Sequence, residues 1–359
     1  MKKILISAKD LKIGGIEKAL INLIKYLVEH GNNVTLVLEE KTGELLKELN
    51  PNVKIIEYKP CSIFFVPIRK AINLYKRLKF IMLYKNRFDV SISFATYSKT
   101  GSFVARVGSK KSILWCHADY LALYEGDKQK VQEFFESIKY DEFSKLFFVA
   151  KSAKKSFLQV FPNQTNVYFC NNLVDSKDIL KKAEEYVDLK YNPEIITFLN
   201  VGRHDEKQKK LSRIIEAAKL LKQDGCKFRI IFVGDGPDTR KYKNLIEEYK
   251  LQENIIFTGA KENPYPYFKI SNCVILSSDY EGYPVVFLES YILNKPIITT
   301  DISDFEDIEN GRGIVAKKDT RQIYEAMKNF VENGYQIEEK FNVNEYNMKI
   351  ENILKEILY

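Results

Sequence analysis

The feature that most constrains the fold is a regular alternation of short apolar runs with longer amphipathic segments. It begins with the apolar run 3–7, a glycine-containing loop and a helical pattern over 16–30. Such an alternation predicts parallel strands joined by helices, the arrangement of a doubly wound α/β domain. The predicted strands of this first series are 3–7, 34–38, 53–58, 90–94, 112–116, 146–150 and 167–169.

A second series of the same kind follows a charged stretch, 174–193, which has little strand character. A chain of 359 residues has the length of two ordinary domains. We therefore predict an α/β protein with two Rossmann-like, doubly wound parallel-sheet domains, at 1–175 and 176–340. The predicted strands of the second series are 195–201, 228–233, 255–257, 273–276, 297–299 and 313–315.

Composition restricts the class of protein further. The chain has no apolar run of about 18 residues, so no transmembrane helix is predicted, and its first apolar run is too short for a signal peptide. The five cysteines have no C-x-x-C spacing, which suits a reducing cytoplasm and argues against a disulfide framework or a zinc site. Because no D-x-D motif follows a predicted strand, the sequence does not require a metal ion.

One stretch, SSDYEGYPVVFLES at 277–290, combines a strand end, a glycine turn and a helix start. Pro284 is predicted at the first helical position, where it presets φ, and Gly282 lets the backbone approach a ligand closely. The free N–H groups at such a helix start favour an anion such as a phosphate.

Glu289 is the unexpected residue of this stretch, because it is charged although the surrounding helix is apolar on nearly every face and should be buried. A buried carboxylate needs partners, which are either two ligand hydroxyls or a structural Arg or Lys. Ligand hydroxyls would make this a site for a phosphate flanked by sugar-like groups.

Glu281, seven intervening residues and Glu289, within S-x-x-E-G-x-P-x-x-x-x-E, resemble the E-x7-E signature of retaining glycosyltransferases of family 4. The order of predicted elements also resembles that family's GT-B fold over essentially the full length. The resemblance implies that Glu281 contacts the transferred sugar, that Glu289 binds the nucleotide ribose and that segment 341–359 packs back on the first domain. It implies further donor contacts at Gly282, Tyr283, Pro284 and Val285.

Segment 201–211, VGRHDEKQKKL, resembles the family's G-R-x(n)-K-G segment. The resemblance implies that Arg203 and Lys209 clamp the donor diphosphate, although a charge run is more usually a solvated surface. Lys210 stands where the family usually has glycine, which leaves Lys207 and Lys210 as alternatives to Lys209. Cations are needed here because cleavage of the sugar–phosphate bond leaves negative charge on the nucleotide.

Three glycine turns are assigned through the same resemblance. Gly14 and Gly15 match a G-G-x-E element that faces the donor diphosphate and the acceptor, although a plain tight turn explains such a pair about as often. Gly234 lies in a G-x-G-P turn on the nucleotide side, and Gly259 lies in the loop that holds the base.

His117 and Asp119 directly follow the predicted strand 112–116. In the family, a histidine here lies near the donor sugar and supports positive charge on the ring. The alternative is a hydrogen-bonded structural histidine. Asp119 either positions the acceptor or caps the next segment.

The net charge of +8 is concentrated in one segment. Nine basic residues and one acid lie between Lys54 and Arg87, so the remainder of the chain sums to zero. The mixture of bases with aromatic residues indicates contact with an anionic membrane surface, or else a domain helix with a basic outer face. Nucleic acid is a weaker alternative, because no nucleic-acid module is recognisable. The predicted membrane or acceptor contacts are Arg69, Lys70, Lys76, Arg77 and Lys79.

These features predict a retaining, metal-independent hexosyltransferase that uses a nucleotide-diphosphate sugar, UDP rather than GDP, and no cofactor. The predicted acceptor is a polyprenyl-linked or growing cell-surface glycan, such as a capsule polymer, at the cytoplasmic face of the membrane. Alternatives are a nucleotide-sugar-binding module or partner subunit without turnover, a GT-B epimerase and a basic nucleic-acid binder.

Overall fold

The computed structural model describes residues 1–95, 97–187, 189–190, 192–309, 311–338 and 340–358. The chain divides into two compact units. The first unit contains Met1–Val174 together with Tyr346–Tyr359, and the second contains Asp175–Glu345. Each unit is built around one parallel sheet.

The first unit contains a seven-stranded sheet in the order β3-β2-β1-β4-β5-β6-β7. All strands predicted for this half are present, because buried parallel strands read as nearly continuous apolar runs. Ile4, Leu5 and Ile6 of the central strand are fully buried. The strands are β1 Lys3–Ala8, β2 Asn33–Leu38, β3 Lys54–Glu57, β4 Val90–Ser93, β5 Ser112–Cys116, β6 Lys145–Phe148 and β7 Val167–Phe169.

Helices connect these strands. Segment 42–49 has a helical sequence pattern but forms a 3₁₀ turn at Glu44–Glu48, because the Leu45 N–H donates to the Leu11 carbonyl at 3.0 Å and draws the segment onto the first loop. Two short helices between β5 and β6 were not predicted. The helices are α1 Gly15–Glu29, α2 Val66–Tyr84, α3 Lys99–Gly108, α4 Tyr120–Leu123, α5 Lys128–Ser137 and α6 Lys151–Val160, with a 3₁₀ turn at Tyr140–Glu142.

The second unit contains a six-stranded sheet in the order β10-β9-β8-β11-β12-β13. Each strand agrees with a predicted one. The order of strands along the chain reverses between β8 and β11, as it does between β1 and β4 in the first unit. The strands are β8 Ile196–Val201, β9 Phe228–Val233, β10 Ile255–Gly259, β11 Cys273–Ile275, β12 Ile297–Thr300 and β13 Gly313–Ala316.

The helices of the second unit begin inside the stretch that was expected to be a connection. Ser176–Ala183 is helical and is capped by Asp175, whose side chain accepts from the Asp178 N–H. Pro284 is the N-cap of its helix rather than the first helical residue, so that prediction was wrong by one position. The helices are α7 Ser176–Ala183, α8 Leu211–Gln223, α9 Thr239–Glu248, α10 Tyr265–Lys269, α11 Val285–Ile292, α12 Glu306–Glu309 and α13 Thr320–Asn333.

The last helix, α14, spans Val343–Leu358. Its residues from Tyr346 onward belong to the first unit. The Asn347 amide pairs with both backbone groups of Val174, at 3.1 Å from the N–H and 2.8 Å from the carbonyl oxygen. The Tyr346 hydroxyl donates to the Asn172 carbonyl at 3.0 Å.

Candidate functional site

Most candidate residues of the second unit follow two neighbouring strands. Segment 202–210 follows β8 and segment 276–284 follows β11. These strands pair at the point where the sheet order reverses. Doubly wound sheets bind their ligands at the carboxyl ends of the strands at this position. The topology therefore brings both segments to the edge of the sheet where a ligand is expected.

Glu281 is buried, with 8% of its surface exposed, and it is ion-paired. Lys209 Nζ lies 2.6 Å from Glu281 Oε1. The Ser278 hydroxyl donates to the same oxygen at 2.8 Å, and Gln208 Nε2 donates to Oε2 at 3.2 Å. A buried carboxylate is tolerated when such partners surround it. The two segments are thus joined through one carboxylate.

The three lysines that the sequence left as alternatives occupy different positions. Lys209 reaches Glu281, whereas Lys207 is exposed. Lys210 has a left-handed backbone, with φ of 49°, and its Nζ lies 3.9 Å from Asp279 Oδ2. A left-handed residue is costly unless it is glycine. This backbone suits the glycine that the family resemblance implies at the position of Lys210.

Arg213 and Asp279 brace these segments, and the sequence analysis missed both. Arg213 Nη1 lies 2.6 Å from Asp279 Oδ1 and also donates to the Ser277 carbonyl at 3.0 Å. The Ser277 hydroxyl donates to the Lys209 and Lys210 carbonyls at 2.9 and 2.8 Å. The only signal was an acid directly after the predicted strand, which is common in loops. The Arg203 side chain is exposed and makes no hydrogen bond or ion pair with the described residues.

Glu289 lies on α11 with 8% of its surface exposed. The Tyr265 hydroxyl donates to Glu289 Oε1 at 3.1 Å, and Tyr265 itself is 3% exposed. The sequence analysis considered ligand hydroxyls or a structural cation as partners and missed this neutral donor. The aromatic run that contains Tyr265 and Tyr267, for which the sequence favours a loop, instead forms the start of α10 and is buried. Tyr283, a predicted donor contact, packs its ring against Phe287, with 6.0 Å between centroids.

Three glycines meet at the ends of β8, β9 and β10. The Gly234 N–H donates to the Gly259 carbonyl at 3.0 Å. Gly234 has φ of 151°, and a Cβ placed there would lie 1.9 Å from the Gly202 carbonyl oxygen. Gly259 has φ of 75° with open space around it. Backbone packing alone therefore requires glycine at Gly234.

His204 lies beneath the Gly234 loop and is fully buried. Its Nδ1 is 2.8 Å from Thr239 Oγ1, and its Nε2 has no hydrogen-bond partner among the described residues. Burial lowers the pKa of His204, against the opposing effect of Asp235. The neutral ring therefore supports the segment that carries Arg203.

In the first unit, Gly14 is the N-cap of α1 and Gly15 is its first residue. Gly14 has an extended backbone, with φ of −172°, which any residue adopts. A Cβ at Gly14 would instead lie 2.2 Å from Glu17 Oε2. Burial raises the pKa of the Glu17 carboxyl. The glycine thus leaves room for a carboxyl group that folds back over the helix start.

His117 follows β5 and packs against Phe94, with 4.3 Å between ring centroids. Its Nε2 is buried and has no hydrogen-bond partner in the described part of the chain. Burial lowers the pKa of His117 to about 3, so the ring is neutral at physiological pH. Asp119 caps α4 by accepting from the Ala122 N–H at 3.1 Å, and it also accepts from the Ser156 hydroxyl at 2.7 Å.

The outward side of α2 is apolar as well as basic. Phe80 is the buried residue of this helix, while Leu74, Leu78 and Met82 are 58%, 57% and 73% exposed. Phe64, in the preceding loop, is 97% exposed. An ordinary domain helix with a basic outer face would bury its apolar residues, and this one does not.

The predicted cationic contacts on α2 differ in exposure. Lys70, Arg77 and Lys79 are exposed, whereas Arg69 and Lys76 are half-buried. Lys76 Nζ donates to the Lys59 carbonyl at 2.8 Å. The described helices include none with both the length and the apolarity needed to cross a bilayer. Nor do the described residues include a cluster of three or more His, Cys, Asp or Glu that could hold a metal ion.

Comparison with known sequences shows similarity to glycosyltransferases, mainly in the second unit. Residues 182–356 match the family model described as glycosyl transferases group 1. An uncharacterised glycosyltransferase of Methanocaldococcus jannaschii is 24% identical over 268 residues, and the match spans 73% of this chain and 58% of that protein. An N-acetylgalactosamine-N,N'-diacetylbacillosaminyl-diphospho-undecaprenol 4-alpha-N-acetylgalactosaminyltransferase of Campylobacter jejuni is 24% identical, over 84% of this chain and 81% of that enzyme.

Comparison with solved structures gives the fold. Alr3699/HepE of Anabaena, solved with UDP and glucose, superposes with a TM-score of 0.78 at 15% identity. The superposition covers 99% of this chain and 100% of that one. The protein therefore has the GT-B fold, as the resemblance implied. Its residues 182–356, just under half of the chain, are similar to the glycosyl transferases of group 1.

Proposed function

We propose that this chain transfers a hexose from UDP-sugar to a hydroxyl of a polyprenyl-linked or growing cell-surface glycan, with retention of anomeric configuration. The observation that carries the proposal is the pair between Glu281 and Lys209, 2.6 Å apart at the reversal point of the second sheet. Glu281 lies shortly before α11, and the start of that helix is the proposed site for the donor's phosphate groups.

The leaving group determines what the site has to stabilise. When the bond between the anomeric carbon and the diphosphate oxygen breaks, the electron pair stays on the nucleotide. The start of α11, Lys209 and the exposed guanidinium of Arg203 supply positive charge to that oxygen. Cations and dipoles fixed before the reaction stabilise such charge without reorganisation.

The two carboxylates hold the sugars of the donor. Glu281 accepts hydrogen bonds from the transferred sugar, and Glu289, deeper in α11, accepts from the ribose. The acceptor oxygen then bonds to the anomeric carbon from the face that the diphosphate leaves, and its proton passes to the leaving phosphate. His117, which is neutral and has a buried Nε2, stays a proposed catalytic residue for the donor sugar.

Several observations support the choice of donor and acceptor. The HepE structure contains UDP and glucose, which favours a uridine nucleotide. The name of the Campylobacter jejuni enzyme includes a diphospho-undecaprenol, which favours a lipid-linked acceptor. Arg203 and Lys209 fill the charge-stabilising role of a metal ion, so we propose that the reaction is metal-independent.

The apolar and basic outer side of α2 favours peripheral attachment to the cytoplasmic face of a membrane. Exposed aliphatic side chains such as Leu74 and Met82 suit insertion into a lipid interface, which favours a membrane over nucleic acid. Attachment of this kind brings the enzyme to a lipid-linked acceptor.

Titration of the purified protein with UDP- and GDP-sugars, with and without a chelator, tests the donor. We expect binding of a UDP-sugar that survives chelation. Failure to bind any nucleotide sugar would contradict the proposal. Incubation with membrane lipid extracts, followed by NMR of the product's anomeric centre, tests transfer and retention. Binding without transfer would identify a non-catalytic module, and release of free sugar without acceptor would identify an epimerase.

A further inference from the structure

A cavity of about 240 Å³ opens between α2 and α3 in the first unit. Both helices end there, directly before β4 and β5 begin, so the cavity lies at the amino edge of the sheet. The candidate donor contacts Gly14 and His117 follow β1 and β5 at the carboxyl edge. The cavity is therefore distinct from the proposed transfer site.

Arg77 is the central side chain of this cavity. Its guanidinium lies over the Phe103 ring, 4.6 Å from the centroid, and this stacking orders it. It makes no hydrogen bond or ion pair with the described residues. All its N–H donors are thus available to a ligand, and a guanidinium can bind a phosphate through two of them.

Lys85 follows Arg77 by two turns of α2 and lines the same cavity. Its ammonium group has no recorded partner among the described residues. The third cation, Arg106, is ion-paired with Glu142, which also lies 2.7 Å from Lys139 Nζ. Lys139 and Arg106 hold the pKa of Glu142 below its ordinary value. The one acid is therefore neutralised, and Arg77 and Lys85 leave the cavity with excess positive charge.

The cavity combines these cations with apolar surroundings. Ile81, Phe103 and Val107 form the apolar part of its lining. The neighbouring turns of α2 carry the exposed side chains of Leu74 and Leu78. A ligand that fits both features has a phosphate group joined to an apolar chain.

We propose that this cavity binds the phosphate of an anionic membrane lipid, with Arg77 and Lys85 as its principal cations. The lipid would enter from the apolar side of α2, place its headgroup over the Arg77 guanidinium and fix the orientation of the helix on the membrane. The inference rests on the membrane attachment proposed above. It adds one specific site for a lipid headgroup to the general attraction between the exposed cations of α2 and the membrane.

Two double variants that remove the same charge distinguish lipid binding in the cavity from general electrostatic attraction between α2 and the membrane. Arg77→Gln with Lys85→Gln removes the cavity cations, while Lys70→Gln with Lys79→Gln removes two exposed cations of the same helix outside it. Binding to phosphatidylcholine vesicles with phosphatidylglycerol is measured by co-sedimentation. Loss of each surface cation should weaken binding about fivefold. We expect the cavity variant to lose at least tenfold more than the control, and equal losses would overturn the proposal.

Monomeric short-chain phosphatidic acid and inorganic phosphate are then titrated against the full chain. We expect the lipid to bind the wild type and the Lys70/Lys79 variant but not the Arg77/Lys85 variant. Binding of inorganic phosphate with equal affinity would overturn a lipid as the source. Lys85→Gln alone tests the site if the double variant does not fold. UDP titration of the same variants tests the proposed transferase function separately. Loss of lipid binding with retained UDP binding concerns the cavity alone, whereas absence of UDP binding in the wild type concerns the transferase function.

Discussion

Helices α11 and α2 both contain many apolar residues but have opposite surroundings. Six of the eight residues of α11 are buried, including Glu289, whereas Phe80 is the buried residue among the nineteen of α2. The difference teaches that apolar content does not determine burial. α11 follows a central strand at the reversal point of its sheet, and α2 follows the edge strand β3. The central helix buries a carboxylate, and the peripheral helix exposes an apolar face.

The largest expected effect compares one apolar side chain from each helix. Phe287→Ala should cost about 3–5 kcal/mol in unfolding free energy, because it removes a fully buried ring. Leu78→Ala should change that free energy by no more than about 0.5 kcal/mol, because this side chain is exposed. Denaturant unfolding measures both. A cost for Leu78→Ala similar to that of Phe287→Ala would contradict the difference in burial.

The second effect concerns the carboxylate at the start of α11. Glu281→Gln should lower kcat by about 10²–10³, because it removes a negative group that contacts the proposed sugar and leaves Lys209 unpaired. Glu206→Gln is the control, since that carboxylate contacts Ser212, Tyr242 and Lys241 and is expected to affect stability. Unchanged turnover in Glu281→Gln would remove this residue from the proposed mechanism.

The third effect follows from a buried polar side chain in apolar surroundings, a feature that His117 shares with Glu289 and that α2 lacks. The folded pKa of His117, about 3, is below the usual 6.5, so the unfolded chain binds more protons between these values. The contribution of His117 to the free energy of unfolding is therefore fully present above about pH 6.5, and it is lost as the pH falls towards 3. Compared with the wild type, His117→Asn should flatten the slope of stability in this range by up to about 1.4 kcal/mol per pH unit. Identical slopes would show that the ring is already solvated.

A smaller effect is expected at the hydroxyl that holds Glu289. Tyr265→Phe removes a 3.1 Å hydrogen bond and should raise KM for the donor about tenfold with little change in kcat. Tyr267→Phe is the matched control on the same short helix and should leave KM unchanged. An equal fall in kcat for Tyr265→Phe would mean that this tyrosine acts in the chemical step and is more than a positioning residue.

The smallest effect tests backbone strain beside the same site. Lys210→Gly should stabilise the protein by about 0.5–1 kcal/mol, because glycine adopts the left-handed backbone without a steric cost. Lys207→Gly, at a position that does not have positive φ, should not stabilise it. Thermal unfolding measures the two melting temperatures. A lower melting temperature for Lys210→Gly would show that the lysine side chain contributes more than the strain costs.

The strands and the sheet that carries the candidate site could be predicted from the sequence, because a strand buried on both faces has a local signature. The segment from Ser277 to Glu289 was recognisable for a related reason. Its turn, its proline and its misplaced carboxylate are all local. The boundary at Pro284 was wrong by one residue, as expected where a proline can serve as either cap or first residue.

Contacts between distant segments could not be predicted. Tyr265 and Glu289 are 24 residues apart, and the link between Lys209 and Glu281 spans 72 residues. Whether α2 buries or exposes its apolar side depends on how much of the sheet remains uncovered. No window of sequence contains that information.

The packing of Gly234 has a consequence for laboratory evolution of donor specificity. Saturation mutagenesis of Gly234 would yield inactive variants, because even alanine would bring its Cβ to 1.9 Å from the Gly202 carbonyl oxygen. Gly259 offers a better choice, since its side-chain position faces open space and asparagine or aspartate tolerates its φ of 75°. Two glycines joined by one hydrogen bond thus differ completely in how much sequence diversity they can accept.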